Sequence, residues 1–197
     1  MKKKQVIFIQ GFNDYSDRVW PKWMESEFTK AGFDFNFLPM PDVMFPEVDK
    51  WVDFLDKQNF KLDSNTYLVA HSLGCITVAR YFEKLLNRSK AQACIFIAGF
   101  CTIPKLPLLF GFCAKPVDYS KVKKHAKEFI MVISDNDRLI PNSDSLEMAK
   151  NVGARVITEH NQGHFTNVKK IPTVVNTILE IEQMKEEVKE MKKLRRK

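Results

Sequence analysis

Tyr67-Leu68-Val69-Ala70-His71-Ser72-Leu73-Gly74, continued by Cys75-Ile76-Thr77-Val78-Ala79-Arg80-Tyr81-Phe82, is the stretch that decides the fold. Tyr67–Ala70 is an unbroken apolar run of strand length, and the residues from Gly74 to about Asn87 follow a helical pattern. A strand without polar alternation has no face for water, so helices must cover both its sides, as in parallel sheets. Further apolar runs lie at Val6–Ile9, Phe33–Leu38, Cys94–Ala98, Phe129–Ile133 and Arg155–Thr158. They alternate with helix-length segments near Val19–Ala31, Glu47–Gln58 and Ser143–Asn151, and with one from Pro172 into the tail. Pro172 suits a first helical position, where its missing N–H would have no partner anyway. Alternation of this length predicts an α/β fold: a mainly parallel sheet of about six strands, right-handed crossovers, and helices on both faces. Ligands of such sheets bind beyond the carboxyl ends of the strands.

The turn after Ala70 reads A-H-S-L-G, a variant of the G-x-S-x-G elbow in which a serine sits on a sharp strand-to-helix turn with its hydroxyl exposed. Positions two residues either side must be small, because the turn brings them together. Gly74 meets this fully; Ala70 adds a methyl where glycine is usual. The bland reading of Ser72 is a helix N-cap, which is common. The elbow reading is favoured by its place between strand and helix. It also aims the Leu73 N–H and the helix start at a point where an oxyanion would form.

A nucleophilic serine needs a base and an acid that orients it; in this arrangement they follow in the order acid, then histidine, each just past a strand. After Phe129–Ile133 comes Ser134-Asp135-Asn136-Asp137-Arg138-Leu139-Ile140-Pro141, which offers two acids. After Arg155–Thr158 comes Glu159-His160-Asn161-Gln162-Gly163-His164-Phe165, which offers two histidines. His71 lies inside the elbow and precedes both acids, so it is not the third member. His125 precedes the acid-bearing strand and reads as a surface residue. A second oxyanion donor is expected from the first βα loop, Ile9-Gln10-Gly11-Phe12-Asn13, through the N–H of Phe12 or Asn13.

Taken together, I-F-I-Q-G-F-N with the tryptophan segment after it, L-P-M-P-D, Y-L-V-A-H-S-L-G, S-D-N-D-R-L-I-P and Q-G-H-F resemble the small single-domain serine hydrolases related to retinoblastoma-binding protein nine. The resemblance runs from the first strand to Phe165. It implies a reduced α/β-hydrolase, a compact three-layer sandwich without metal or organic cofactor. It also implies Ser72 as nucleophile, Asp137 as the acid four residues before Pro141, and His164 of Gly-His-Phe as the base. The first loop departs from the family pattern, because Gln10-Gly11-Phe12 lacks the usual glycine-rich run. Gln10, Gly11, Asn13, His71 and Phe110 are candidates for lining the substrate pocket. The apolar segment 101–112 is either a flap over the site or a loop that packs on the core. The resemblance implies a reaction type, hydrolysis of an ester, thioester or amide of a small molecule, and no particular metabolite. The rival reading is a binding module that keeps the fold and uses the cleft for a peptide or protein. A pure binder has no use for all three triad residues.

Composition bounds the rest. A chain of 197 residues with 45% hydrophobic residues supports one core. The expected division is an α/β-hydrolase domain over 1–181 and a charged helical extension over 182–197. The net charge of +7 is concentrated at the ends, in Lys2, Lys3 and Lys4 and in the tail. Solvated termini explain this better than a nucleic-acid face. No C-x-x-C pair occurs among Cys75, Cys94, Cys101 and Cys113, and reduced thiols are expected. The first apolar run is too short for a signal-peptide core and no stretch approaches a membrane span, so a cytoplasmic protein is expected. In the tail, Ile181, Met184, Val188, Met191 and Leu194 form a narrow helical stripe, read as a solvated helix end ahead of a homodimer contact, with binding of the basic Lys192–Lys197 end to an acidic surface last.

Overall fold

The six apolar runs become the six strands of one sheet. They are β1 (Lys4–Ile9), β2 (Phe33–Leu38), β3 (Thr66–His71), β4 (Ala93–Ile97), β5 (Phe129–Ser134) and β6 (Arg155–Glu159). The computed structural model describes residues 3–13, 19–86, 89–102 and 107–195. The strand order is β2-β1-β3-β4-β5-β6 and every neighbouring pair is parallel. Strands extend past their apolar runs because ladder bonds need only backbone: His71 pairs with Ile97 and Ser134 with Glu159. Ala98 follows β4 at φ +49°, its N–H still donating to the Val132 carbonyl of β5 at 2.9 Å.

The longer helices are α1 (Val19–Lys30), α2 (Val48–Lys57), α3 (Leu73–Lys84), α6 (Asn142–Val152) and α7 (Pro172–Leu194). Between β4 and β5 lie a 3-10 turn (Pro107–Leu109) and two single-turn helices, α4 (Phe110–Cys113) and α5 (Tyr119–Val122). Four residues are too few to show a 3.6-residue period, which is why the sequence did not announce them.

The continuous apolar strands divide residue by residue between two cores, as side-chain alternation requires. Val6, Phe8, Tyr67, Val69, Ile95 and Val132 pack on α1 and α7. Ile7, Ile9, Leu68, Ala70, Phe96 and Met131 pack on α2, α3 and α6. The result is the three-layer sandwich of the α/β-hydrolase type.

His125, the cysteines and Glu182 refine the sequence reading. His125 is buried rather than on the surface, at 2% exposure: its ring packs on Phe82 at 5.5 Å and Nδ1 is 3.1 Å from the Ser89 carbonyl. The short bridge Ala91↔Ala126 pulls it in. All four cysteines are free; Cys75 and Cys94 are buried, Cys101 and Cys113 half-buried. Burial pushes the Cys101 thiol up to about 12 and the Cys113 thiol to about 11. Glu182, the first residue of the expected extension, sits inside the body at 5% exposure, and α7 continues through it unbroken. An unpaired carboxylate there would cost several kcal/mol. It is met by Lys4 Nζ at 2.7 Å, by Lys185 and by the Tyr67 hydroxyl. Among the described residues no helix is long and apolar enough to cross a membrane.

Candidate active site

The chain leaves β1 toward β2 on one side and returns to β3 on the other, so the carboxyl ends of β1 and β3 flank the switch point of the sheet. Ser72 stands there, at φ +51° and ψ −118°, a conformation L-residues rarely adopt. Such geometry costs about 1–3 kcal/mol and must be imposed by its surroundings. Here the Ser72 N–H donates to the Ile97 carbonyl at 2.8 Å, and the Cys75 N–H to the Ser72 carbonyl at 2.9 Å. Ser72 occupies the N-cap position of α3, yet its side chain does not cap the helix. Its hydroxyl points to His164 instead.

Gly74 explains how the elbow fits. A Cβ there would stand 2.6 Å from the backbone oxygens of both Ile9 and Gln10, so the start of α3 can lie against the exit of β1 only without a side chain. Gly11 has a milder version of the same constraint: its Cβ would be 3.1 Å from Ser72 Cβ and 3.2 Å from the His71 carbonyl oxygen. The first loop is thereby pressed against the elbow, with half-buried Phe12 next in the chain.

The parallel register of β5 and β6 brings the two polar loops together. Because Ser134 pairs with Glu159, the residues beyond each strand lie side by side. His164 Nε2 is 2.8 Å from Ser72 Oγ, and its Nδ1 is 2.7 Å from Asp137 Oδ2. The side chains of His164 and Asp137 are 8% and 3% exposed. Burial works to raise the Asp137 pKa, but the hydrogen bond from His164, its charge, and the N–H groups of Ile140 and Leu139 outweigh it and hold the carboxyl below the usual range. The second acid and second histidine pair with each other: His160 Nδ1 is 2.7 Å from Asp135 Oδ2 on the exposed rim.

The sequence reading missed how fully the run Ser134–Asp137 is used. Ser134 Oγ accepts from the Gln162 N–H at 2.9 Å, Asp135 Oδ1 from Asn161 N–H at 2.8 Å, and Asn136 Oδ1 from Gly163 N–H at 2.7 Å. Four consecutive side chains thus hold five consecutive residues of the histidine loop. The available signal was two polar runs of matching length after neighbouring strands.

The pocket candidates scatter. Gly11 and His71 adjoin Ser72, and His71 is buried on the α1 side against Trp20 at 5.5 Å. The Gln10 side chain is buried at 3% exposure. Asn13 is exposed, its N–H donating to the Val43 carbonyl at 3.0 Å. Phe110 is 44% exposed on α4. Of segment 101–112, residues 103–106 lie outside the described residues. Leu109 and Phe112 are buried, the latter on Trp51 at 5.6 Å, while Arg80 donates to the carbonyl of Phe112. That part packs on the core. Among the described residues no cluster of three His, Cys, Asp or Glu side chains could hold a metal ion.

A six-stranded parallel sandwich with a strained serine at its switch point defines an α/β-hydrolase fold. The Serine hydrolase family profile matches residues 6–171, and the chain belongs to that family. YdeN of Bacillus subtilis is 32% identical over 163 residues, covering 82% of this chain and 86% of that protein. Its crystal structure superposes with a TM-score of 0.88 at 29% identity, over 92% of this chain and 100% of the other. The serine hydrolase RBBP9 of Rattus norvegicus is 23% identical over 170 residues, 85% of this chain and 89% of that protein. Est1E from Butyrivibrio proteoclasticus, at 17% identity and a TM-score of 0.68 over 95% of this chain and 89% of its own, shares the fold.

Proposed function

We propose that this serine hydrolase cleaves ester-type bonds of a small molecule by acyl transfer to water, with Ser72 as nucleophile, His164 as base and Asp137 as the orienting acid. The observation that carries the reading is the engagement of both His164 ring nitrogens, Nε2 with Ser72 Oγ at 2.8 Å and Nδ1 with Asp137 Oδ2 at 2.7 Å. A carboxylate accepts only, so Nδ1 carries the proton and Nε2 is left as the acceptor for the serine proton. As Ser72 Oγ attacks the carbonyl carbon, its proton passes to His164 Nε2. Asp137 stabilises the imidazolium that forms. The backbone N–H groups of Leu73, at the positive end of α3, and of Phe12 stabilise the oxyanion. Collapse of the intermediate expels the alcohol, which takes the proton from His164. Water then cleaves the acyl-enzyme by the same route. Thioesters and amides present the same carbonyl, with leaving groups of different basicity.

Fluorophosphonate labelling tests the assignment. Wild-type protein is expected to label at Ser72. Ser72→Ala is expected to lose labelling and at least about 10³-fold in hydrolysis of p-nitrophenyl esters. Full hydrolysis by folded Ser72→Ala would overturn it.

A further inference from the structure

His71 is 2% exposed beside the proposed nucleophile and base, yet no proton-transfer step uses it. Its Nε2 lies 2.9 Å from the main-chain oxygen of His164. A carbonyl oxygen only accepts, so Nε2 must carry a proton and donate it to this bond. The ring has aromatic neighbours on two sides. Trp20 stands edge-on to it at 5.5 Å and 86°, and the His164 ring lies 5.1 Å away. A ring so confined can aim its donor in one direction.

The base loop needs an anchor at that point. Upstream of His164, the side chains of Ser134, Asp135 and Asn136 hold the N–H groups of residues 161 to 163. Downstream, Phe165 has φ +57°, a left-handed conformation that a bulky residue keeps only where its surroundings impose it. The His164 carbonyl belongs to the peptide that enters this strained residue, and it is the group that His71 holds.

We propose that His71 is a positioning residue: by donating Nε2–H to the His164 carbonyl it ties the base loop to the end of the strand that carries Ser72, and so sets the base-to-nucleophile distance. The proposal rests on the reading of Ser72 and His164 given above. The adjacency is economical, since the same backbone turn that aims Ser72 at His164 on one side places His71 under the base on the other.

Two substitutions separate the donor from the ring. His71→Phe keeps a planar ring against Trp20 and removes the donor; His71→Gln removes the ring and keeps an amide N–H at similar reach. His71→Leu replaces the phenylalanine variant where that one does not fold. With p-nitrophenyl acetate, the donor-less variant is expected to lose about 10- to 100-fold in kcat with KM within about threefold, because the base is misplaced while the substrate contacts stay. His71→Gln is expected to recover most of that loss. A purely packing role orders the two variants the other way. Gln no better than Phe, or wild-type kcat in the donor-less variant, overturns the proposal. The low-field proton of the His164–Asp137 hydrogen bond gives a readout by proton NMR that needs no turnover. It should be retained in wild type and His71→Gln and shifted or lost in the donor-less variant; no change there overturns the proposal. Absence of labelling and turnover in the wild type itself would instead refute the Ser72 reading, and the NMR comparison would still decide the role of His71.

Discussion

Ser72 is held in a conformation its own chemistry disfavours, and the residues around it divide into those that impose this geometry and those that use it. Ile97 and Gly74 impose it; in the proposed mechanism His164 uses it. The two Asp–His pairs make the division testable, since both have a 2.7 Å hydrogen bond but only one reaches Ser72. Asp137→Asn is expected to cost about 10³- to 10⁴-fold in kcat/KM, because the amide favours the wrong tautomer of His164. His164→Ala should cost at least as much. Asp135→Asn and His160→Ala are expected to stay within about tenfold, since that pair braces the loop at an exposed rim where ion pairs are weak. Ester hydrolysis by the four purified variants checks this; comparable losses at His160 and His164, or a greater loss at Asp135 than at Asp137, would overturn the assignment.

At the scale of elements, the site depends on how closely two of them approach. The β1 exit and the start of α3 meet backbone to backbone at Gly74, where a methyl would overlap two carbonyl oxygens at 2.6 Å. Gly74→Ala is therefore expected to destabilise the fold by about 2–3 kcal/mol and to abolish measurable hydrolysis. At Gly11 the contacts of 3.1–3.3 Å are less severe, and relieving them takes shifts of only a few tenths of an ångström. Gly11→Ala should lower kcat about tenfold while shifting the melting temperature much less. Thermal melts alongside ester kinetics separate the two; equal melting shifts would show that the first loop is as rigid as the elbow. The helix α7 docks through a different device, the buried Glu182. Its burial works to raise its pKa, but hydrogen bonds from Lys185, Lys4 and Tyr67 outweigh it and the pKa is lowered. The stability it contributes is therefore present above the ordinary glutamate value of 4.5 and lost as the pH falls through the lower, folded value. Glu182→Gln should melt below wild type at pH 7, and the gap should narrow as both are titrated toward pH 3. A gap that widens on acidification would mean the carboxylate is not stabilised by these partners.

For the whole molecule, the question is where the body ends. Lys185 still holds the Ser64 carbonyl at 2.6 Å, whereas Val188, Met191 and Leu194 are 44–71% exposed. The overhang after Lys185 is about 14 Å of helix at 1.5 Å per residue, too short to bury by itself the roughly 1,200 Å² of a stable dimer. Truncation after Lys185 is therefore expected to leave ester hydrolysis within about threefold and the light-scattering mass that of a monomer before and after. A dimer that dissociates on truncation would show that the stripe recruits more of the surface than its own length provides.

The sequence by itself determined the order and kind of the elements. Six runs rich in apolar residues, several of them continuous and Phe33–Leu38 alternating, became six parallel strands, and helical periodicity placed α1, α2, α3, α6 and α7, because backbone propensity and burial act locally enough to leave a pattern. It also offered the serine by its strand–turn–helix setting, while leaving Asp135 and Asp137, and His160 and His164, as equal candidates until the resemblance to a family separated them. The single-turn helices α4 and α5, the burial of His125 and the docking of Glu182 left no such trace. Tertiary structure decided these, together with the register of β5 on β6 that sets four polar side chains against the histidine loop. The physical reason is that a side chain's partners across a sheet are fixed by strand order and register, and those are settled by packing between residues as far apart in the chain as Ser72 and His164.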